Sequence, residues 1–256
     1  MQTAVRPIAD NNCVYLPFTA PAQHKPKHQI LVDIGFLHHS SIVGYNSTVA
    51  TEDTSVLIGA SFEAVGDKAF LPLSSLTATP AFETGDQIQV AYTDENGFSQ
   101  FTVYEYDEAD GWLDTEEYAP CGDDVGLALG QSAWLISAGE PKSVTTAGAV
   151  RNTNAIRTFT ETSSLISSAF PTPFCPNGAN VSWGTQSGDQ IQVAYTDENG
   201  FSQFTVYEYD EADGWLDTEE YAPLEAATAV VGPGIGFWLI LQDASSTFTE
   251  VSPLAE

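Results

Sequence analysis

The sequence predicts an all-β protein: two tandem antiparallel β-sandwich or small-barrel modules preceded by an extended N-terminal arm. Three observations carry that expectation. The string "GDQIQVAYTDENGFSQFTVYEYDEADGWLDTEEYAP" fills Gly85–Pro120 and returns without a mismatch at Gly188–Pro223, and an internal repeat decides architecture before any other feature. Within it, "DQIQVAYT" alternates apolar and polar residues with a period of two. "FSQFTVYEY" is rich in the β-branched and aromatic residues that suit a pleated surface. Elsewhere Gly, Pro, Asn and Asp fall at intervals suited to short strands, and no convincing helical stripe of apolar residues interrupts them.

The repeat extends in weaker form on both sides. "SVLIGASF" (Ser55–Phe62) resembles "SSLISSAF" (Ser163–Phe170), and "LGQSAWLIS" resembles "GPGIGFWLI", which sets Trp134 opposite Trp238. The organisation expected is an arm over 1–40, a first module over 41–139, a linker over 140–152 with a small strand of its own, and a second module over 153–256. The arm differs in composition. It holds all four histidines and three of the seven basic residues, a turn-prone "HKPKHQ", and "ILVDIGF" as a candidate strand.

Inside the duplicated block, Asn96-Gly97 is a strong hairpin signal, because type I′ turns need positive φ at both central residues. Either even-length loop, of two or four residues, places Ile88, Val90, Tyr92, Phe101 and Val103 on one face, the expected core. The opposite face then carries Gln87, Gln89, Tyr104 and Tyr106, repeated as Gln190, Gln192, Tyr207 and Tyr209. This polar-aromatic surface is a candidate partner-binding face, since amphipathic aromatics give contact area at low entropic cost. A three-residue loop would break that parity. Trp134 and Trp238 are expected in the core, and Trp112 and Trp215 either in edge packing or as a ligand platform.

The same register puts Asp86 across from Glu105 or Asp107, and like charges facing across a ladder are destabilising. Splayed solvated ends, a raised pKa or a bound cation would each resolve it. In "YDEADGWLDTEE", Glu108, Asp110, Asp114 and Glu117 stand at loop positions reminiscent of a calcium-binding loop, although Tyr106 occupies the first position and no helices flank it. The candidate metal ligands are therefore Asp86, Glu105, Asp107, Glu108, Asp110, Asp114 and Glu117. Their copies are Asp189, Glu208, Asp210, Glu211, Asp213, Asp217 and Glu220. Ca2+ is the cofactor such a set would take; turn chemistry is the competing explanation.

Charge bounds the partners. With 35 Asp+Glu against 7 Lys+Arg, the formal net charge is −28, far beyond the magnitude of roughly 2–8 usual for a small domain. Nucleic acid and anionic lipid both need Lys or Arg to displace counterions, so neither is an expected partner. No run approaches the ~20 apolar residues of a membrane-spanning helix, and no secretory signal is visible at the N-terminus. Cys13, Cys121 and Cys175 lack C-x-x-C spacing, which leaves one bridge plus a free thiol, or three idle thiols. For catalysis, the only histidines (His24, His28, His38 and His39) lie in the arm. No nucleophile elbow, phosphate loop or dinucleotide fingerprint occurs, so no enzyme is expected.

The run from "VGY" through "GDQIQV", "FTVYEY" and "GW" to "GPGIGFWL" resembles uncharacterised secreted bacterial β-modules. The resemblance covers most of 41–243 and implies an extracellular or cell-envelope setting, with no active site attached. The expectation is a non-enzymatic, acidic structural protein working through module faces and edges, self-associating into a fibre or lattice or binding other surface proteins. The alternative is a calcium- or glycan-binding adhesion module.

Overall fold

The computed structural model describes residues 13–17, 29–33, 43–49, 55–63, 70–94, 99–199, 201–243 and 246–254, the first three segments as backbone apart from Gly44. In chain order the strands of the first part are β1 (Cys13–Pro17), β2 (Gln29–Asp33), β3 (Val43–Val49), β4 (Ser55–Gly59), β5 (Phe70–Pro72), β6 (Thr77–Thr79), β7 (Gln87–Thr93), β8 (Ser99–Asp107), β9 (Gly111–Asp114), β10 (Ala119–Pro120), β11 (Gly126–Ala128), β12 (Ser132–Ile136) and β13 (Ser143–Ala149). Those of the second part are β14 (Ala155–Phe159), β15 (Ser163–Ser167), β16 (Val181–Trp183), β17 (Gln190–Thr196), β18 (Ser202–Asp210), β19 (Gly214–Asp217), β20 (Ala222–Pro223), β21 (Gly236–Ile240) and β22 (Ser246–Glu250). A single 3-10 turn at Leu73–Ser75 is the one helical element among the described residues.

The sheets are antiparallel and open rather than closed barrels. One six-stranded sheet runs β10-β9-β8-β7-β12-β4, and the other repeats that order as β20-β19-β18-β17-β21-β15. The companion sheets agree as well: β3-β13-β6 in the first half matches β14-β22-β16 in the second, and among the described residues only the first is extended, by β2 and β1. Residues 143–149, within the stretch expected as linker, form β13, which pairs with both β3 and β6.

Each half encloses its own core. In the first, Ile58, Ile88, Trp112 and Leu135 of the large sheet meet Leu73, Phe82, Leu127 and Val144. In the second, Ile166, Ile191, Trp215 and Leu239 meet Phe174, Val231 and Phe248. Trp112 and Trp215 are thus core residues, clasped edge-on by Tyr106 and Tyr209 across the strand pair. Trp134 and Trp238 are not. Trp134 pairs with Leu57 on the face turned away from the core, and the Trp238 ring meets Phe101 of the other half edge-on at 6.3 Å. This reverses the expected assignment, because what decides it is which face of the sheet each tryptophan occupies and not how apolar its strand is.

The hairpin register corrects the expected faces. Ile88 pairs with Tyr104, Gln89 with Val103 and Ala91 with Phe101. The loop is odd, five residues between Thr93 and Ser99, so Tyr104 and Tyr106 join Ile88 and Val90 on the core side. Phe101 and Val103 move to the other face, with Gln87 and Gln89. The second copy repeats this register and shows the cause. Asp197 Oδ1 accepts from the N–H groups of Asn199 and Phe201, and Asp197 N–H donates to the Phe201 carbonyl. The aspartate side chain thus organises a wider loop in place of the two-residue Asn-Gly turn.

The halves meet through the outer faces of the two large sheets, in contacts that exchange when the halves are swapped. Ile58 bridges to Ile235, and Ile166 to Gln131; Gly59 N–H donates to the Gly234 carbonyl at 2.8 Å, and Ser167 N–H to the Gly130 carbonyl at 2.8 Å. Where β4 meets β15, a Cβ on Gly59 would collide with Ser167 Cβ, and where β12 meets β21, one on Gly236 would collide with Ser132 Oγ. Each crossing therefore sets one glycine against one serine, and the backbones approach closely. The contact buries Leu57 and Leu165, which belong to neither core.

Candidate functional site

The Asp86 carboxylate is fully buried, and the conflict expected with Glu105 or Asp107 does not arise, because Asp86 stands opposite Tyr106. Its Oδ2 accepts from Glu83 N–H (2.9 Å) and its Oδ1 from Ala138 N–H (2.9 Å), while the buried ammonium of Lys142 lies 3.3 Å from Oδ1. Lys142 also donates to Glu83 Oε1 at 2.6 Å and to Ser137 Oγ at 3.3 Å. Burial alone would lower the Lys142 pKa, but the hydrogen bonds and charges of Glu83 and Asp86 outweigh it and hold it above its ordinary value. The cation at Asp86 is thus a lysine. Asp189 is held in the same way by Gln186 N–H (3.0 Å) and Gln242 N–H (2.7 Å).

The other candidate ligands are spread along turns. Asp107 Oδ1 accepts from Ala109 and Asp110 N–H, and Asp114 Oδ1 from Glu116 and Glu117 N–H. Asp210 and Asp217 do the same in the second copy. These are side-chain-to-backbone turns, which need no ion. Glu108, Asp110 and Glu117, like Glu211, Asp213 and Glu220, point into solvent. Among the described residues no group of three or more His, Cys, Asp or Glu gathers in a way that would hold a metal ion. The four histidines lie outside the described residues.

Of the proposed partner face, the glutamines and tyrosines separate. Gln89 Nε2 donates to Gln87 Oε1, and Gln87 Nε2 to Glu105 Oε2, a ladder repeated by Gln192, Gln190 and Glu208. Tyr104, Tyr106, Tyr207 and Tyr209 are half-buried against the two cores. Burial raises the Tyr104 and Tyr207 phenols above their ordinary values, with nearby acidic groups adding to it. The exposed aromatics are elsewhere. Tyr118 and Tyr221, at 82% and 83% exposure, crown the turns after β9 and β19 with left-handed backbone, φ 52° and 51°. A non-glycine residue there is strained, which the sequence pattern did not reveal.

The sequence reading also missed a buried ion pair. Arg157 Nη2 donates to Glu250 Oε1 at 2.8 Å, and Glu250 further accepts from Ala169 N–H and Ser168 Oγ. Arg157 Nη1 reaches across to the Gly130 carbonyl of the first half, and its guanidinium lies over the Phe248 ring. Burial lowers the Arg157 pKa while Glu250 opposes the shift. The signal available was scarcity: Lys142 and Arg157 are two of only seven basic residues. Arg157 also lines a cleft of about 250 Å³ between the halves, with Tyr92, Leu129, Phe159, Leu165 and Trp238.

Cys121 and Cys175 are free thiols. Burial, then Asp114 and Asp124, pushes Cys121 up to about 11, which leaves little reactive thiolate at neutral pH. No helix among the described residues is long and apolar enough to cross a membrane. No family model, curated protein or solved structure matches this chain.

Proposed function

We propose that this chain is a non-enzymatic, acidic structural protein of the cell surface or extracellular space, which assembles with further copies through the edges of its outer sheets. One observation carries the reading. The two companion sheets share the order β3-β13-β6 and β14-β22-β16, yet β3 is covered by β2 whereas β14 has only β22 beside it among the described residues. An uncovered edge presents unpaired N–H and C=O groups and accepts another strand. On β14, Ile156 is 69% exposed, and no charge on that side chain guards the edge.

The extended sheet ends at β1, so β1 of one copy against β14 of the next is a head-to-tail contact, the kind that gives an open fibre rather than a closed ring. The β1–β2 pair, already placed beside β3 of its own chain, opposes exchange of the arm and leaves edge addition as the route. A net charge of −28 repels like copies, so assembly is expected to need screening at ~150 mM salt, where the Debye length falls to about 8 Å. Sedimentation velocity and electron microscopy over a concentration series test this. Filaments or lattices in salt, lost in Ile156→Lys, are expected; monomer at every concentration and salt would overturn the reading.

A further inference from the structure

The duplicated block is chemically identical in both halves, so any difference in what it touches comes from outside it. In the second half Asn177 docks on the start of β19. Its Oδ1 accepts from Trp215 N–H (3.0 Å), and its Nδ2 donates to the carbonyls of Trp215 (3.1 Å) and Leu224 (2.9 Å). Gly214, at φ +77°, leaves the room: a Cβ there would lie 2.8 Å from Asn177 Oδ1.

The first half offers the same platform with no occupant among the described residues. Gly111 has φ +79°, and the Trp112 carbonyl accepts from Cys121 N–H at 2.8 Å, as the Trp215 carbonyl does from Leu224 N–H at 2.9 Å. A Cβ on Gly111, however, would meet nothing within 4 Å. The Trp112 N–H, the counterpart of the donor that Asn177 satisfies, has no acceptor among the described residues. The space is a cleft of about 310 Å³ walled by Phe82, Tyr106 and Trp112, with Ser74, Asp110 and Asp123 at its mouth.

We propose that this cleft binds an asparagine side chain presented on a turn of a peptide or protein partner. Its carboxamide oxygen accepts from Trp112 N–H, and its nitrogen donates to the Trp112 carbonyl, as Asn177 does on Trp215. The aromatic walls bury the rest of the turn, and the acidic mouth favours a basic flank in the partner. A ligand without an acceptor leaves the Trp112 N–H unpaired on binding, and one without an N–H forgoes the second bond to the Trp112 carbonyl, which Cys121 N–H already shares. Alanine offers neither, and aspartate brings a charge that the mouth repels and has no N–H.

The probe is a synthetic peptide of residues 173–179 with Cys175→Ser, which carries the chain's own Pro176-Asn177-Gly178. It is titrated into the full-length protein and followed through backbone amide resonances. The Trp112 amide should shift saturably while the Trp215 amide, already occupied, stays fixed. Peptides carrying Asn177→Ala or Asn177→Asp should bind at least about tenfold more weakly. Ser74→Tyr in the protein, at an exposed position, should close the mouth to the same degree, and the peptide arms decide the matter if that variant misfolds. No shift at Trp112 up to ~5 mM peptide, or equal binding of the asparagine and alanine peptides, would overturn the proposal.

Discussion

Asp86 and Asp189 are the same residue of the same block, buried alike and each held by two backbone N–H groups, yet among the described residues only Asp86 has an ammonium beside it. Lys142→Met removes that ammonium and leaves Asp86 and Glu83 without their cation. The expected loss is about 3 kcal/mol in urea denaturation, the usual cost of breaking a buried pair from one side. The same contact sets a pH dependence. Because the folded Lys142 pKa lies above 10.5, its contribution is complete below the unfolded value and fades as pH rises through the higher folded one. Melting temperatures between pH 9 and 12 should therefore fall more steeply for the native chain than for Lys142→Met. The sequence exposed the problem at Asp86, a carboxylate heading into a core-facing strand. It did not identify the partner, because Lys142 is remote in the chain and is brought there by the strands around it.

Strand alternation made the existence of the hairpin legible, along with its β character and half of each face: Ile88, Val90, Ile191 and Val193 lie where the period of two puts them. Loop parity was not legible. Asn-Gly favours two residues locally, but the preceding aspartate caps a five-residue loop through its own carboxylate, and one residue of slip reverses the faces of the whole second strand. The two registers differ in measurable cost. Tyr104→Ala should lose about 2 kcal/mol, less than a fully buried aromatic because the ring is half-buried, while Val103→Thr should lose less than about 1 kcal/mol. The even-loop register demands the reverse order. Equilibrium denaturation of the two variants decides between them.

At the scale of the molecule, the two halves join through contacts that exchange on swapping, as in a twofold dimer whose subunits share one chain. Arg157 links that joint to the second core, by bonding both Gly130 and Glu250. Arg157→Met should cost about 3 kcal/mol, and the double variant Arg157→Met/Glu250→Leu should regain only part of it, since it removes the unpaired carboxylate but leaves Ala169 N–H and Ser168 Oγ without their acceptor. Repetition was visible in the sequence down to the drifted flanks. The joint was not, because Gly59, Ser132, Ser167 and Gly236 read as ordinary strand residues until the opposing sheet is present. The proposed assembly of copies rests on the β14 edge, which has only β22 beside it among the described residues, and the acidic surface opposes it until salt screens the charge. Native-state amide exchange along β14, compared at ~0.05 and ~1 mM protein in ~150 mM salt, tests this most directly. Protection of residues 155–159 should rise with concentration and be lost in Ile156→Lys; unchanged exchange across that range would contradict it.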